Sequence, residues 1–185
     1  VLHYIENNDT VRDGDLILMD FGAEYGNYNA DMTRTIPANG RFTQRQKEVY
    51  NAVLRTMKQA ITLLVPGMTF DIYNKQVGDW IEKELIDLKL LDKDAVKNQD
   101  PNAPLYRQYF MHGTSHSLGL DVHDVDDRSI PFENGMVFTC EPGIYIPKEN
   151  IGIRIENNIV VGNQPMDLMK NIPIEIEEIE DLMNN

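Results

Sequence analysis

The chain has 185 residues, 42% of them hydrophobic, which is enough for one domain or most of one. Its formal net charge of -13 argues against a nucleic acid partner, because phosphate binding needs a basic face. No stretch approaches the roughly 20 consecutive apolar residues that a membrane span requires, so we expect no membrane insertion. The single cysteine, Cys140, excludes an internal disulfide framework and predicts a cytoplasmic protein.

The first third of the chain predicts a hairpin. Residues 16–19 form an apolar run that ends in Asp20. A second strand-like segment, residues 29–36, follows the turn-prone residues 25–27. The sequence starts at Val1 without a methionine and enters patterned sequence at once, so we expect part of the structure to lie upstream.

Two helices are predicted next. The first opens at Thr43 with Gln46 in a capping-box pattern, and Pro66 ends it. Its apolar positions recur at helical spacing: Val49, Val53, Met57, Ala60, Ile61 and Leu64. The second runs from about residue 70 to residue 88, and its predicted buried stripe is Ile72, Val77, Trp80, Ile81 and Leu85.

The rest of the chain predicts a loop followed by strands. The loop contains Pro101 and Pro104, and residues 106–161 are typical of strands and turns. We interpret the acidic end as solvated surface: Glu175, Glu177, Glu178, Glu180 and Asp181.

A similar sequence pattern occurs twice in the chain. Gly14 precedes an apolar run and Asp20, and Gly135 precedes a similar run and Glu141. In both places the acid lies six residues after a turn glycine, and another glycine follows two residues beyond the acid. We interpret this repeated pattern as two similar half-domains, each of which places a carboxylate at the end of a strand.

The register of the later hairpin places two acids opposite each other. If residues 147–150 form a four-residue loop, Ile146 pairs with Ile151 and Glu141 faces Glu156. Such facing side chains lie about 4.5–5.5 Å apart. Two carboxylates that close repel each other unless they are protonated or bridged by a cation.

The earlier hairpin has two alternative registers. A two-residue turn at Tyr25 and Gly26 makes Asp20 face Asp31. A turn at Gly26 and Asn27 instead leaves the two aspartates diagonal, still within reach of a shared ion.

Three of the four histidines, His112, His116 and His123, fall within twelve residues among small residues. Four carboxylates and one imidazole form an oxygen-rich set that suits Mn²⁺ or Co²⁺, with Zn²⁺ or iron as alternatives. Four negative charges balance two dications, and two ions about 3.5–4 Å apart can share a bridging water and lower its pKa. The pattern therefore indicates hydrolysis.

Five segments resemble the pita-bread metallopeptidases of the aminopeptidase P and prolidase type. They are residues 20–25, 30–35, 112–124, 141–143 and 152–156, and together they cover almost the whole chain. The resemblance implies an α+β pita-bread fold, with two pseudo-symmetric halves around a curved antiparallel sheet. It implies that residues 1–185 form a single catalytic domain truncated on its N-terminal side.

The resemblance also implies roles for individual residues. The metal ligands would be Asp20, Asp31, His116, Glu141 and Glu156, with Asp31 and Glu156 bridging two divalent ions, most often Mn²⁺. Glu141 would also carry protons. The substrate site would contain His3, His112 and His123, and Arg154 would steady a ligand carboxylate.

The implied activity is hydrolysis, by a metal-bridging hydroxide, of the peptide bond before a proline in second position. A prolidase limited to dipeptides is one alternative, and a non-catalytic peptide-binding module is another. The latter typically lacks some metal ligands, whereas this sequence keeps all five. The activity of the chain on its own and the oligomeric state stay open, with a homo-oligomer among the alternatives.

Overall fold

The computed structural model describes Tyr4 and residues 6–185. In this described part of the chain, nine strands and four α-helices follow in order. The first part contains β1 (Leu16–Phe21), β2 (Glu24–Tyr25), β3 (Tyr28–Asn29), β4 (Met32–Pro37), α1 (Gln44–Ile61), α2 (Phe70–Asp87) and α3 (Lys93–Lys97). The second contains β5 (Val137–Cys140), β6 (Gly143–Ile146), β7 (Ile151–Arg154), β8 (Asn157–Val160), β9 (Met166–Asp167) and α4 (Ile176–Asn184). Short 3-10 helices lie at Leu105–Gln108 and Pro147–Glu149.

The first hairpin adopts the diagonal register. Tyr25 pairs with Tyr28, so Gly26 and Asn27 form the turn, and Asp20 lies opposite Thr33 rather than Asp31. The facing register was therefore wrong. Gly26 and Asn27 both have positive φ, which this tight turn requires and which Tyr25 would adopt only at a steric cost.

The second hairpin has the predicted register. Ile146 pairs with Ile151, and the same alignment continues through β5 and β8, where Cys140 pairs with Asn157. Two aligned positions lie between these two ladders; Glu141 and Glu156 occupy one, and Pro142 and Ile155 occupy the other.

The repeated sequence pattern corresponds to two similar turns in the structure. Gly14 and Gly135 both have positive φ, in turns closed by Asp15 N–H to Arg12 O and by Met136 N–H to Glu133 O. Each turn leads into a strand, β1 or β5, that ends beside a carboxylate. The two turns therefore start equivalent strands.

Helix α1 begins as predicted, because Thr43 and Gln46 form both bonds of a capping box. The helix ends at Ile61, before Pro66, and packs on α2, β5, β6 and β7. On α2 the predicted stripe was wrong at Ile72, which is exposed, while Tyr73 is fully buried in its place. Val77, Ile81 and Leu85 are buried as predicted, and Trp80 is half-buried.

Polar side chains of β4 join the two halves. The buried Arg34 donates to the carbonyl of Glu156 and to Asn157 Oδ1. Thr35 Oγ1 donates to the carbonyl of Arg154, and the Glu156 N–H donates to the carbonyl of Thr33. These bonds fix the end of β7 against β4, beside Asp31.

The acidic end forms α4, and one of its acids is not surface. Glu180 is buried, accepts the N–H of Phe42 and pairs with Lys47 at 2.9 Å. The helical repeat turns Glu180 to the same side as Ile176 and towards α1, whereas Glu177 and Asp181 are exposed. Among the described residues, no helix combines the length and the apolar character that crossing a bilayer requires.

Candidate metal centre

A cleft of about 600 Å³ lies where the two halves meet. Its lining includes every predicted site residue that the structure describes, namely Asp20, Asp31, His112, His116, His123, Glu141, Arg154 and Glu156. The remaining one, His3, lies outside the described residues.

Three overlapping groups in this cleft could each hold a metal ion. They are Asp20, Asp31 and Glu156; His116, Glu141 and Glu156; and Asp31, His116 and His123. Within each group the possible ligand atoms lie within 4.8 Å of one another. Glu156 belongs to the first two groups, so the structure brings together all five residues predicted to bind metal.

His116 lies between carboxylates from both halves. Its Nε2 is 3.4 Å from Asp31 Oδ2 and 3.7 Å from Glu141 Oε1, and its Nδ1 is 3.0 Å from the carbonyl of Ser117. A carbonyl only accepts hydrogen bonds, so Nδ1 must carry a proton. When the ring is neutral, its Nε2 therefore presents a lone pair to the cleft. Burial opposes protonation, but the neighbouring Asp31 carboxylate raises the pKa of His116 to about 9.

Glu156 carries the clearest sign of a missing partner. The residue is 1% exposed; Oε2 accepts from Thr33 Oγ1 at 2.6 Å, and within the described chain Oε1 is buried without a hydrogen-bond partner. Burial and the charges of Glu141 and Asp31 raise the pKa of Glu156 to about 8. A buried, unpaired carboxylate oxygen among other acids fits a cation, which would supply the missing charge.

The charged form of Glu141 is unfavourable for the same reasons. Burial, followed by the charges of Asp31 and Asp20, raises its pKa to about 7 against the opposing effect of His116. The donor set as a whole, four carboxylates and an imidazole, therefore fits divalent cations.

Glycine at position 22 lets the two aspartates approach. A Cβ atom there would lie 1.7 Å from the carbonyl oxygen of Ala30, so only glycine permits the chain after β1 to cross so close to Ala30. Asp20 and Asp31 lie on the two sides of this crossing. Their diagonal register therefore still delivers both to one group.

A hydrogen-bonded network supports the acids from behind. Arg154 donates from Nη2 to Asp20 Oδ2 at 2.7 Å and from Nε to Thr33 Oγ1 at 3.0 Å. Arg154 therefore contacts one candidate ligand, Asp20, directly and another, Glu156, through Thr33.

Sequence reasoning missed two members of this network, Thr33 and Tyr145. Tyr145 Oη accepts from Arg154 Nη1 at 3.0 Å and lies 2.8 Å from His112 Nε2. The available signal was strand alternation, since Thr33 lies two residues after Asp31 and Tyr145 four residues after Glu141.

His112 is held as a neutral ring. Burial lowers its pKa to about 4. Nδ1 lies 2.8 Å from the carbonyl of Gly113 and must donate to it, so Nε2 accepts the hydroxyl hydrogen of Tyr145. The ring also meets Phe110 edge-on, with centroids 4.8 Å apart. His112 therefore presents a fixed face to the cleft.

The geometry agrees with comparisons to known proteins. The chain matches metallopeptidase family M24 over residues 1–163. It is 44% identical to an Xaa-Pro aminopeptidase of Haemophilus influenzae, over 100% of this chain and 45% of that relative. It is 40% identical to Xaa-Pro aminopeptidase 3 of Homo sapiens, over 98% of this chain and 38% of that relative. The structure of zinc-substituted Escherichia coli aminopeptidase P with product matches with a TM-score of 0.90 and 43% identity, covering 99% of this chain and 44% of that chain.

The chain therefore belongs to metallopeptidase family M24. The predicted pita-bread fold is confirmed. The chain spans less than half the length of the relatives named above.

Proposed function

We propose that the whole protein is a metal-dependent aminopeptidase that removes the N-terminal residue from peptides with proline in second position. The observation that carries the proposal is the convergence of four carboxylates and His116 around Oε1 of Glu156, which has no hydrogen-bond partner among the described residues. The names of the relatives, Xaa-Pro aminopeptidases, support the substrate class.

In this proposal the ligand groups hold two divalent ions. Asp20 would help to hold one ion, His116 and Glu141 would help to hold the other, and Asp31 and Glu156 would contribute to both. The oxygen-rich set favours Mn²⁺, with Co²⁺ and Zn²⁺ as alternatives. When bound, such ions polarise the scissile carbonyl and make water a nucleophile at neutral pH.

Glu141 is the proposed proton carrier. Its Oε1 faces His116 at 3.7 Å, and its Oε2 faces the other side of the cleft, 3.9 Å from His112 Nδ1. One oxygen can therefore bind metal while the other accepts a proton from the attacking water and passes it to the departing proline nitrogen. Without that proton the amine is a poor leaving group.

His112 and His123 are the proposed substrate residues. A bond before proline is a tertiary amide without an N–H, so the site must recognise the ring and the carbonyl. His112 and His123 both line the cleft and offer an apolar ring face with a polar edge.

A peptidase assay on the whole protein tests the proposal. We expect Mn²⁺ to support cleavage of Xaa-Pro tripeptides, chelation to abolish it, and Xaa-Ala peptides to be cleaved at least about tenfold more slowly. Cleavage of Xaa-Pro dipeptides alone would instead identify a dipeptidase. Tight peptide binding without turnover, in metal-loaded protein, would identify a binding module.

A further inference from the structure

The His123 ring packs against the ring of His116 at the edge of the cleft. Its centroid lies 4.3 Å from that of His116, although His123 belongs to a loop whose residues 120–130 are exposed apart from Asp124. Within the described chain, the His123 ring donates and accepts no hydrogen bond. The backbone of the loop must therefore position the ring. We call residues 117–125 the His123 loop.

Asp124 organises this loop from inside. Its Oδ2 accepts the N–H of Leu120 at 3.2 Å, its Oδ1 accepts the N–H of Val125 at 2.9 Å, and its own N–H donates to the carbonyl of Ser117 at 3.1 Å. A Cβ atom on Gly119 would lie 2.1 Å from Asp124 Oδ2, so the glycine makes room for the carboxylate. The carboxylate thus fills the turn that precedes His123.

Asn29 holds the same turn from the other half. Its N–H donates to the carbonyl of Gly119 at 2.8 Å, and its Nδ2 donates to the carbonyl of Leu120 at 2.7 Å. Asn29 ends β3, two residues before Asp31. Leu120 therefore donates its N–H to Asp124 and accepts at its carbonyl from Asn29.

We propose that Asp124 and Asn29 are positioning residues for His123. Together they tie the His123 loop to the hairpin that carries Asp31, so the His123 ring keeps its place against His116. The inference rests on the proposed function, in which His123 binds substrate. Neither residue contacts the reacting atoms in this scheme, and both act through the loop backbone.

Substitutions at Asn29 and at Asp124 disrupt the loop from two different elements. If one variant fails to fold, the other still tests the inference. Asn29→Asp keeps the shape of the side chain but replaces the Nδ2 donor with a carboxylate that repels the Leu120 carbonyl. Asp124→Ala removes both acceptors, and Asp124→Asn keeps one. The matched control is Asp121→Asn, because the Asp121 side chain is exposed and makes no hydrogen bond or ion pair within the described chain.

In the whole protein with Mn²⁺, we expect Asn29→Asp and Asp124→Ala each to lower kcat/KM for Xaa-Pro tripeptides about fivefold or more, mainly through KM. Asp124→Asn should lose less, and the control should stay within twofold. Metal content should not change. In a His123→Ala background, neither variant should lower kcat/KM further. Equal losses with and without His123, or losses in kcat alone, would overturn the inference.

A second measurement does not depend on turnover. In NMR spectra of the metal-free protein, the ring resonances of His123 should shift in both variants, while those of the control match the wild type. The Leu120 amide should exchange faster with solvent in Asp124→Ala. Unchanged His123 resonances in both variants would overturn the positioning roles. Absence of turnover in the metal-loaded wild type would instead defeat the proposed function.

Discussion

Glu156 is a deeply buried acid that the two main ligand groups of the centre share. It is among the most buried acids of the described chain, it contacts Thr33, and it is common to two of the three possible ligand groups. Burying a carboxylate with one unpaired oxygen is costly. This cost is understandable if a cation supplies the missing charge, because the same group then becomes a strong ligand.

Glu141→Gln tests the proton-transfer role. The amide keeps an oxygen for metal but cannot carry a proton, so we expect kcat to fall about a hundredfold or more while part of the metal is retained. Turnover of Xaa-Pro tripeptides and metal content by elemental analysis are the measurements. Glu177→Gln, an exposed change on α4, is the control. Wild-type kcat in Glu141→Gln would remove the assignment.

At the scale of elements, the crossing at Gly22 brings β1 and the β2–β3 hairpin together between Asp20 and Asp31. The crossing sets the distance between two side chains that the strand register leaves diagonal. Its geometry depends on backbone contact with Ala30, not on a side chain that could relax.

Gly22→Ala should therefore separate the two aspartates. We expect a stability loss of about 1–3 kcal/mol from overpacking, together with weaker Mn²⁺ binding. Gly113→Ala is the control for stability, because the nearest atom to its added Cβ is 4.0 Å away. Chemical denaturation and calorimetric titration with Mn²⁺ measure the two effects. Metal affinity equal to that of the wild type would show that the crossing does not set the ligand geometry.

The two hairpins show what the sequence can predict. Around Glu141 and Glu156, a single plausible loop fixed the register, and the structure agrees. Around Asp20 and Asp31, two adjacent turns fit the pattern, and the steric cost of positive φ at Tyr25 decides between them. The bonds from Asn29 to residues 119 and 120 join positions about 90 apart, and no local pattern encodes them. Likewise, Glu180 is buried because α4 packs with this residue against Phe42 and Lys47, and the charge pattern of the sequence does not predict that packing.

At the scale of the whole molecule, the metal-free centre should oppose folding as the pH rises. The pKa values of Glu141 and Glu156 are raised to about 7 and about 8, and that of His116 to about 9. The folded state thus binds more protons than the unfolded state between pH 6.5 and 8. His112, with its pKa lowered to about 4, acts in the opposite direction, mainly below about pH 6.5 and only weakly above it.

We therefore expect the free energy of unfolding of the chelated protein to fall by at least about 1 kcal/mol from pH 6.5 to pH 8. With saturating Mn²⁺ the trend should weaken or reverse, because metal binding requires deprotonated ligands and strengthens as the pH rises. Denaturant titrations at the two pH values, with chelator and with Mn²⁺, measure both slopes. Stability that rises with pH in the chelated protein would contradict the proposed charge repulsion.

The division of the ligands between distant segments has a consequence for biosynthesis. Asp20 and Asp31 leave the ribosome more than a hundred residues before Glu156, and the bonds from Arg34 to Glu156 and Asn157 need the later segment. A nascent chain that ends before residue 156 holds at most an incomplete set of donors. In the proposed centre, the complete set of five ligands would therefore come together only after the closure of a very long loop.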